Sequence, residues 1–245
     1  MKRFLRHVNL GLVLGGVLIL ATMLLILIAQ TVFHLEKPSI RDAARDYLDD
    51  LAALNVSTSD LLPGVALTDA QKDERKAALE TLLMEHWYSE PLTVGTTDLL
   101  FGSTAVTMED VRTSYHDYLE IPLQGVFYEV SFTVLDSDIE IKANGPAYAK
   151  VSINVTDATA VCRGNPEALF TAGDPYHFAG DPESYPDAYQ LQKEYGNQAY
   201  TVRFEFYLAL EMKRVDGEWR VINATSNCYV LEQVVDTEKE EGSGK

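Results

Sequence analysis

Cysteine is nearly absent from this chain: Cys162 and Cys228 are the only two. That excludes a small scaffold stapled by several disulfides. Zinc-ligand spacings are missing as well, with no C-x-x-C, no H-x-x-x-H and no H-E-x-x-H among the two cysteines and five histidines. No phosphate-binding loop and no dinucleotide fingerprint occurs, so the sequence implies no cofactor. Positive charge is scarce, with 20 Lys and Arg against 37 Asp and Glu and a net charge of −17. A surface that acidic repels phosphate backbones and excludes a nucleic-acid partner.

What the chain does have is one long apolar run. Val8 to Phe33 carries no charge and is dominated by Leu, Val and Ile. As a helix it would extend roughly 39 Å, more than the ~30 Å hydrocarbon core of a bilayer. A cleaved secretory signal has a shorter apolar region and a small-residue cleavage site, which Ala29-Gln30-Thr31-Val32 matches poorly. The run therefore reads as an uncleaved signal anchor over 8–33. Lys2, Arg3 and Arg6 precede it, whereas residues 37–245 carry 17 basic and 36 acidic residues, net −19. The positive-inside rule then places 1–7 in the cytoplasm and the rest outside a cell membrane, that of a bacterium on this reading. Gly11 and Gly15 offer a close-approach surface for self-association of the anchor.

Past the anchor the pattern divides in two. Pro38-Ser39 opens a helix, with Ser39 as cap and Ile40, Ala43, Ala44, Tyr47, Leu48 and Leu51 at helical spacing. Thr68 caps a second helix to about Tyr88, with Ala77, Ala78, Leu79, Leu82, Leu83 and Trp87 as its apolar side. Thr107 opens a third, faced by Met108, Val111, Tyr115 and Tyr118, after a turn-rich stretch over 91–106 with small β-like pieces. After Pro122 the period becomes 2. Val126, Tyr128, Val130 and Phe132 alternate with Phe127, Glu129 and Ser131. Ala147–Val155 and Tyr200–Met212 alternate likewise, and Asp216-Gly217 is the turn pair of a two-residue hairpin returning through Trp219. The polar tail 236–245 has the composition of a disordered segment.

That order, with Arg214-Val-Asp-Gly-Glu-Trp219-Arg-Val-Ile222 in the last hairpin, resembles the NTF2-like (cystatin-like α+β cone) superfamily over 39–235. The resemblance implies an α+β fold, three helices packed on a curved, mainly antiparallel sheet. It implies no single activity, since the superfamily hosts isomerases, dehydratases, transport factors and secretion subunits. The layout of one anchor and one exported domain also resembles the VirB8-type subunits of conjugative secretion systems.

Site candidates are few. His116 on the third helix with Glu129 on the first strand would make an acid–base pair if both faced a pocket; a surface histidine is the plainer reading. Residues 172–185 hold a near-repeat, Ala-Gly-Asp174-Pro-Tyr176-His-Phe178 then Ala-Gly-Asp181-Pro-Glu183-Ser-Tyr185, inside a long loop over 163–198. Asp174, Asp181, Glu183 and Asp187 would suit Ca²⁺, although without the ordered spacing of a calcium loop. Tyr176, Phe178, Tyr185 and Tyr189 would suit a protein contact. Cys162 and Cys228, each near a strand end, are either one disulfide or two buried thiols. Asn55, Asn154 and Asn223 each begin an N-x-S/T triplet. With no catalytic motif, the leading expectation is non-catalytic: a membrane-anchored domain that binds a protein partner or assembles at the cell surface. A small-molecule or enzymatic pocket inside the cone, and a VirB8-like scaffold, are the rivals.

Overall fold

A computed structural model describes residues 10–57, 61–89, 108–123, 125–143, 147–164 and 198–234. The described elements are helices α1 (Leu10–Asn55), α2 (Asp69–His86) and α3 (Met108–Glu120), and strands β1 (Gly125–Phe132), β2 (Ile139–Ala143), β3 (Tyr148–Gly164), β4 (Tyr200–Val215) and β5 (Glu218–Val234). The chain divides into two compact units, Met1–Ser39 and Ile40–Lys245.

In the first unit the large apolar side chains from Val13 to Val32 are exposed, the reverse of a helix folded into a water-soluble core. This is one helix long and apolar enough to cross a membrane. Two hydroxyls on this helix are satisfied within it: Thr22 and Thr31 donate to the carbonyls of Leu18 and Leu27 at 2.9 and 2.8 Å. The expected helix start at Ser39 is a correction. α1 runs through this position with Pro38 inside it, giving up the one backbone bond that proline cannot donate, so Ser39 caps nothing.

The second unit is α+β. Its sheet is antiparallel throughout, in the order β1-β3-β4-β5. β2 pairs with β3 over Ala149–Ile153 and β1 pairs with it over Ala158–Gly164, while β4 pairs along both stretches. β1 and β2 therefore share one edge of β3. The short β2 was not anticipated, although Ile139 and Ile141 are buried and Glu140 and Lys142 exposed, an alternation too brief to stand out. Asp216 and Gly217 take φ of 51° and 94°, the left-handed pair that a tight hairpin between twisted strands requires.

The expected alternation holds along β4, where Val202, Phe204, Phe206, Leu208, Leu210 and Met212 are buried. It fails in β1, where Phe127 is buried despite its outward assignment. A bulge explains this: Phe127 faces Cys162 and Glu129 faces the adjacent Val161, leaving Tyr128 as the extra residue. The sheet's other face carries polar pairs, including Lys150–Glu211 at 2.6 Å and Tyr207 donating to Ser152 at 2.9 Å.

Large side chains from the helices and from the sheet are buried together. Tyr47, Leu48 and Leu51 of α1, Leu79 and Leu83 of α2, Tyr115 and Leu119 of α3, and Phe127 and Phe206 of the sheet are all fully buried. Thr68 caps α2 reciprocally with Gln71. Arg112 of α3 ties itself to Glu80 of α2 at 2.5 and 3.0 Å, a two-pronged carboxylate grip. Arg41 and Arg45 of α1 both reach Asp136, at 2.6 Å each.

Candidate functional site

Among the described residues of the second unit a groove opens between α1 and α2, a cavity of about 480 Å³. On α2 the residues Gln71, Glu74, Ala78, Thr81 and Glu85 stand alternately three and four apart, so they form one line along the helix. On the α1 side stand Asp50, Ala53 and Leu54, followed by Val56 and Ser57. Ala53 and Ala78 are both exposed, and their short side chains leave space that larger residues would fill. Ala77 and Ala78 had been assigned to the apolar side of α2; the structure exposes both, and only Leu79, Leu82 and Leu83 of that helix are buried.

The floor is apolar, from Leu54 and Leu82 with the half-buried Val56 and Leu61. The rim is acidic. Asp50, Glu74 and Glu85 are exposed there, against the single half-buried cation Arg75. Arg75 lies near the Tyr115 phenol, whose pKa burial raises and the guanidinium partly lowers. Asp49, next to the rim, also has a raised pKa, from partial burial and from Asp46 and Asp50, with Arg45 opposing.

Both ends of the groove are fixed. At one end Val56 bridges to Phe127, Ser57 N donates to Phe127 O at 2.7 Å, and the Tyr128 hydroxyl donates to Leu61 O at 2.8 Å. At the other end His86 Nε2 lies 2.7 Å from Asp50 Oδ2, with the Glu85 carboxylate close by. The His86 ring stands edge-on to Tyr47 at 5.7 Å between centroids. Asp–His pairs position general bases in enzymes. Among the described residues, however, His86 makes no further hydrogen bond to a hydroxyl or thiol that would act as nucleophile.

The structure does not assemble the acid–base pair suggested by the sequence. His116 is half-buried on α3 and Glu129 is exposed on β1. Among the described residues no hydrogen bond or ion pair joins them, and the charge of His116 acts instead on Glu80. The disulfide is a further correction. Cys162 is buried and free. It lies opposite Tyr200 on β4, whereas Cys228 on β5 lies opposite Phe206, which in turn faces Val155. The two cysteines are thus two strands apart and seven positions out of step. Strand spacings make that roughly 20 Å, and a disulfide needs Cα atoms within ~7 Å. Asp174, Asp181, Glu183, Asp187, Tyr176, Phe178, Tyr185 and Tyr189 lie outside the described residues, as do 91–106 and the tail.

Sequence reasoning missed the groove because its two walls are separated along the chain: His86 and Asp50 stand 36 positions apart. Comparison of the chain with models of known protein families, with curated proteins and with solved structures finds no match.

Proposed function

We propose that this chain is a single-pass membrane protein, its N-terminus cytoplasmic, whose NTF2-like domain is a non-catalytic binding module outside the cytoplasm. Its ligand is a basic, apolar-flanked segment of a protein partner, taken in the groove between α1 and α2. The observation that carries this reading is the composition of the groove: a leucine floor under a rim of three carboxylates and one guanidinium. Apolar floor area contributes about 25 cal/mol per Å² covered, and the rim selects for positive charge. A ligand in the interior is the rival reading, and the large side chains that would line such a pocket are themselves buried.

The test uses the full chain in nanodiscs of zwitterionic lipid, with empty discs as baseline. A short labelled peptide alternating Lys and Leu is titrated, followed by its Glu–Leu counterpart. The Lys–Leu peptide is expected to bind and to weaken about tenfold or more in Ala78→Leu, equivalent to about 1.4 kcal/mol. Equal binding of both peptides, or no effect of Ala78→Leu, overturns the proposal.

A further inference from the structure

The His86 end of the groove brings together three side chains of metal-ligand type. Asp50 comes from the last turns of α1, Glu85 and His86 from the end of α2, and one ligand atom from each lies within 4.8 Å of the other two. We infer that these three residues bind one divalent transition-metal ion of the zinc type. The site shares Asp50 and Glu85 with the acidic rim of the groove, and its test is read on the metal alone, without peptide.

The donor set selects the ion. One imidazole nitrogen and two carboxylates suit zinc, cobalt or nickel, whereas calcium and magnesium prefer oxygen alone. Around a tetrahedral ion with bonds of ~2.0–2.1 Å, neighbouring ligand atoms stand roughly 3.3 Å apart. Asp50 and His86 are already closer, at 2.7 Å, the distance of a shared proton that the ion would replace. From within 4.8 Å, Glu85 has to close by at most about 1.5 Å, which its exposed side chain permits.

Two other observations point to a ligand there. His86 is the least exposed of the three, its side chain 13% accessible against 51% for Asp50, and Tyr47 holds its ring edge-on. A pre-set ring of this kind lowers the ordering cost of ligation. The Arg220 guanidinium at the same helix end is held by the Met84 and Glu85 carbonyls and by Glu218, and among the described residues no cation pairs with the Glu85 carboxylate beside the Asp50–His86 pair. Asp50 and Glu85 also line the cavity, so a fourth coordination position facing the groove has room for water. No spacing motif announces the site, because its ligands belong to two helices.

The experiment titrates Co²⁺, then competes it with Zn²⁺, on the full chain without a histidine tag in nanodiscs. The readouts are the visible cobalt absorption and a chromophoric zinc chelator. One ion per chain is expected, weakened tenfold or more in His86→Gln and in Glu85→Gln. Glu85→Gln leaves the Asp50–His86 pair intact, so its loss reports ligation rather than folding. His116→Gln is expected to bind as wild type does. Unchanged affinity in Glu85→Gln and His86→Gln, or displacement of Zn²⁺ by equimolar Ca²⁺, overturns the inference.

Discussion

Tyr47 offers the sharpest test of how the interior is built. Its side chain is fully buried, with its ring edge-on to His86 at 5.7 Å and to Trp87 at 6.4 Å. Its hydroxyl and Trp87 Nε1 are both buried, and although the indole lies near enough to lower the phenol pKa in part, the two do not reach hydrogen-bond geometry. Burial accordingly pushes the phenol pKa far above its ordinary value. An unmet buried hydroxyl costs about 1–3 kcal/mol. Tyr47→Phe keeps the ring and removes that cost, so it should stabilise the domain by about 1 kcal/mol, or roughly 2–4 °C in Tm for a domain of this size. Tyr47→Ala removes the ring as well and should destabilise by about 3–5 kcal/mol through the cavity it leaves. Urea unfolding of the full chain in detergent, followed by the fluorescence of the buried Trp87 and Trp219, reads both changes, with an unchanged m-value showing that the unfolding unit is the same. A Tyr47→Phe protein less stable than wild type by 1 kcal/mol would refute the reasoning, because it would mean that the hydroxyl is paired after all.

Two further outcomes follow from the side-chain chemistry, beside the groove and metal tests above. Hydrogen bonds from Arg112 hold the Glu80 carboxyl below its ordinary value, against the effect of burial. The pair therefore stabilises fully above pH about 4.5 and loses that contribution as pH falls through the depressed folded value. With Glu80 39% exposed, solvent screening limits the effect to about 1 kcal/mol, so Arg112→Met should flatten the acid limb of a stability-versus-pH curve by that amount and leave its neutral shape alone. Burial pushes the Cys162 thiol up to about 12, so in a Cys228→Ser chain iodoacetamide at pH 8 should label Cys162 only after unfolding; rapid labelling of the folded chain would contradict its burial.

Features set by local chemistry were readable in the sequence. The uncharged run after Val8 needs only composition, and β4 needs only its alternation. Asp216-Gly217 needs only the tolerance of those residues for positive φ. Features that depend on a distant partner were not. Phe127 faces inward because a bulge at Tyr128 shifts the pleat, and the bulge is defined only against Cys162 and Val161 of β3. Ser39 is a competent cap, but Leu35, Glu36 and Lys37 are good helix formers and the helix passes through. Proximity of Cys162 and Cys228 to strand ends suggested a bridge, whereas register, which sets their separation, belongs to the pairing. The walls of the groove meet only when α1 and α2 are laid side by side.

The sheet's connectivity also sets an order of events. β5 reaches β4 across a two-residue turn, and their ladder runs from Val215–Glu218 to Thr201–Val234. β3 reaches β4 only by closing the chain between Gly164 and Tyr200, an entropic cost of about 3 kcal/mol for a loop of that length. β4 lies between β3 and β5, so the β4–β5 hairpin is the last ladder of the sheet to leave the ribosome, after the β2–β3 ladder. Until it arrives, the apolar side of β3, with Val151, Ile153 and Val155, has no sheet neighbour on that edge. A truncation that removes β5 should therefore leave the β4 edge unpaired and the sheet a target for chaperones and proteases rather than a smaller domain.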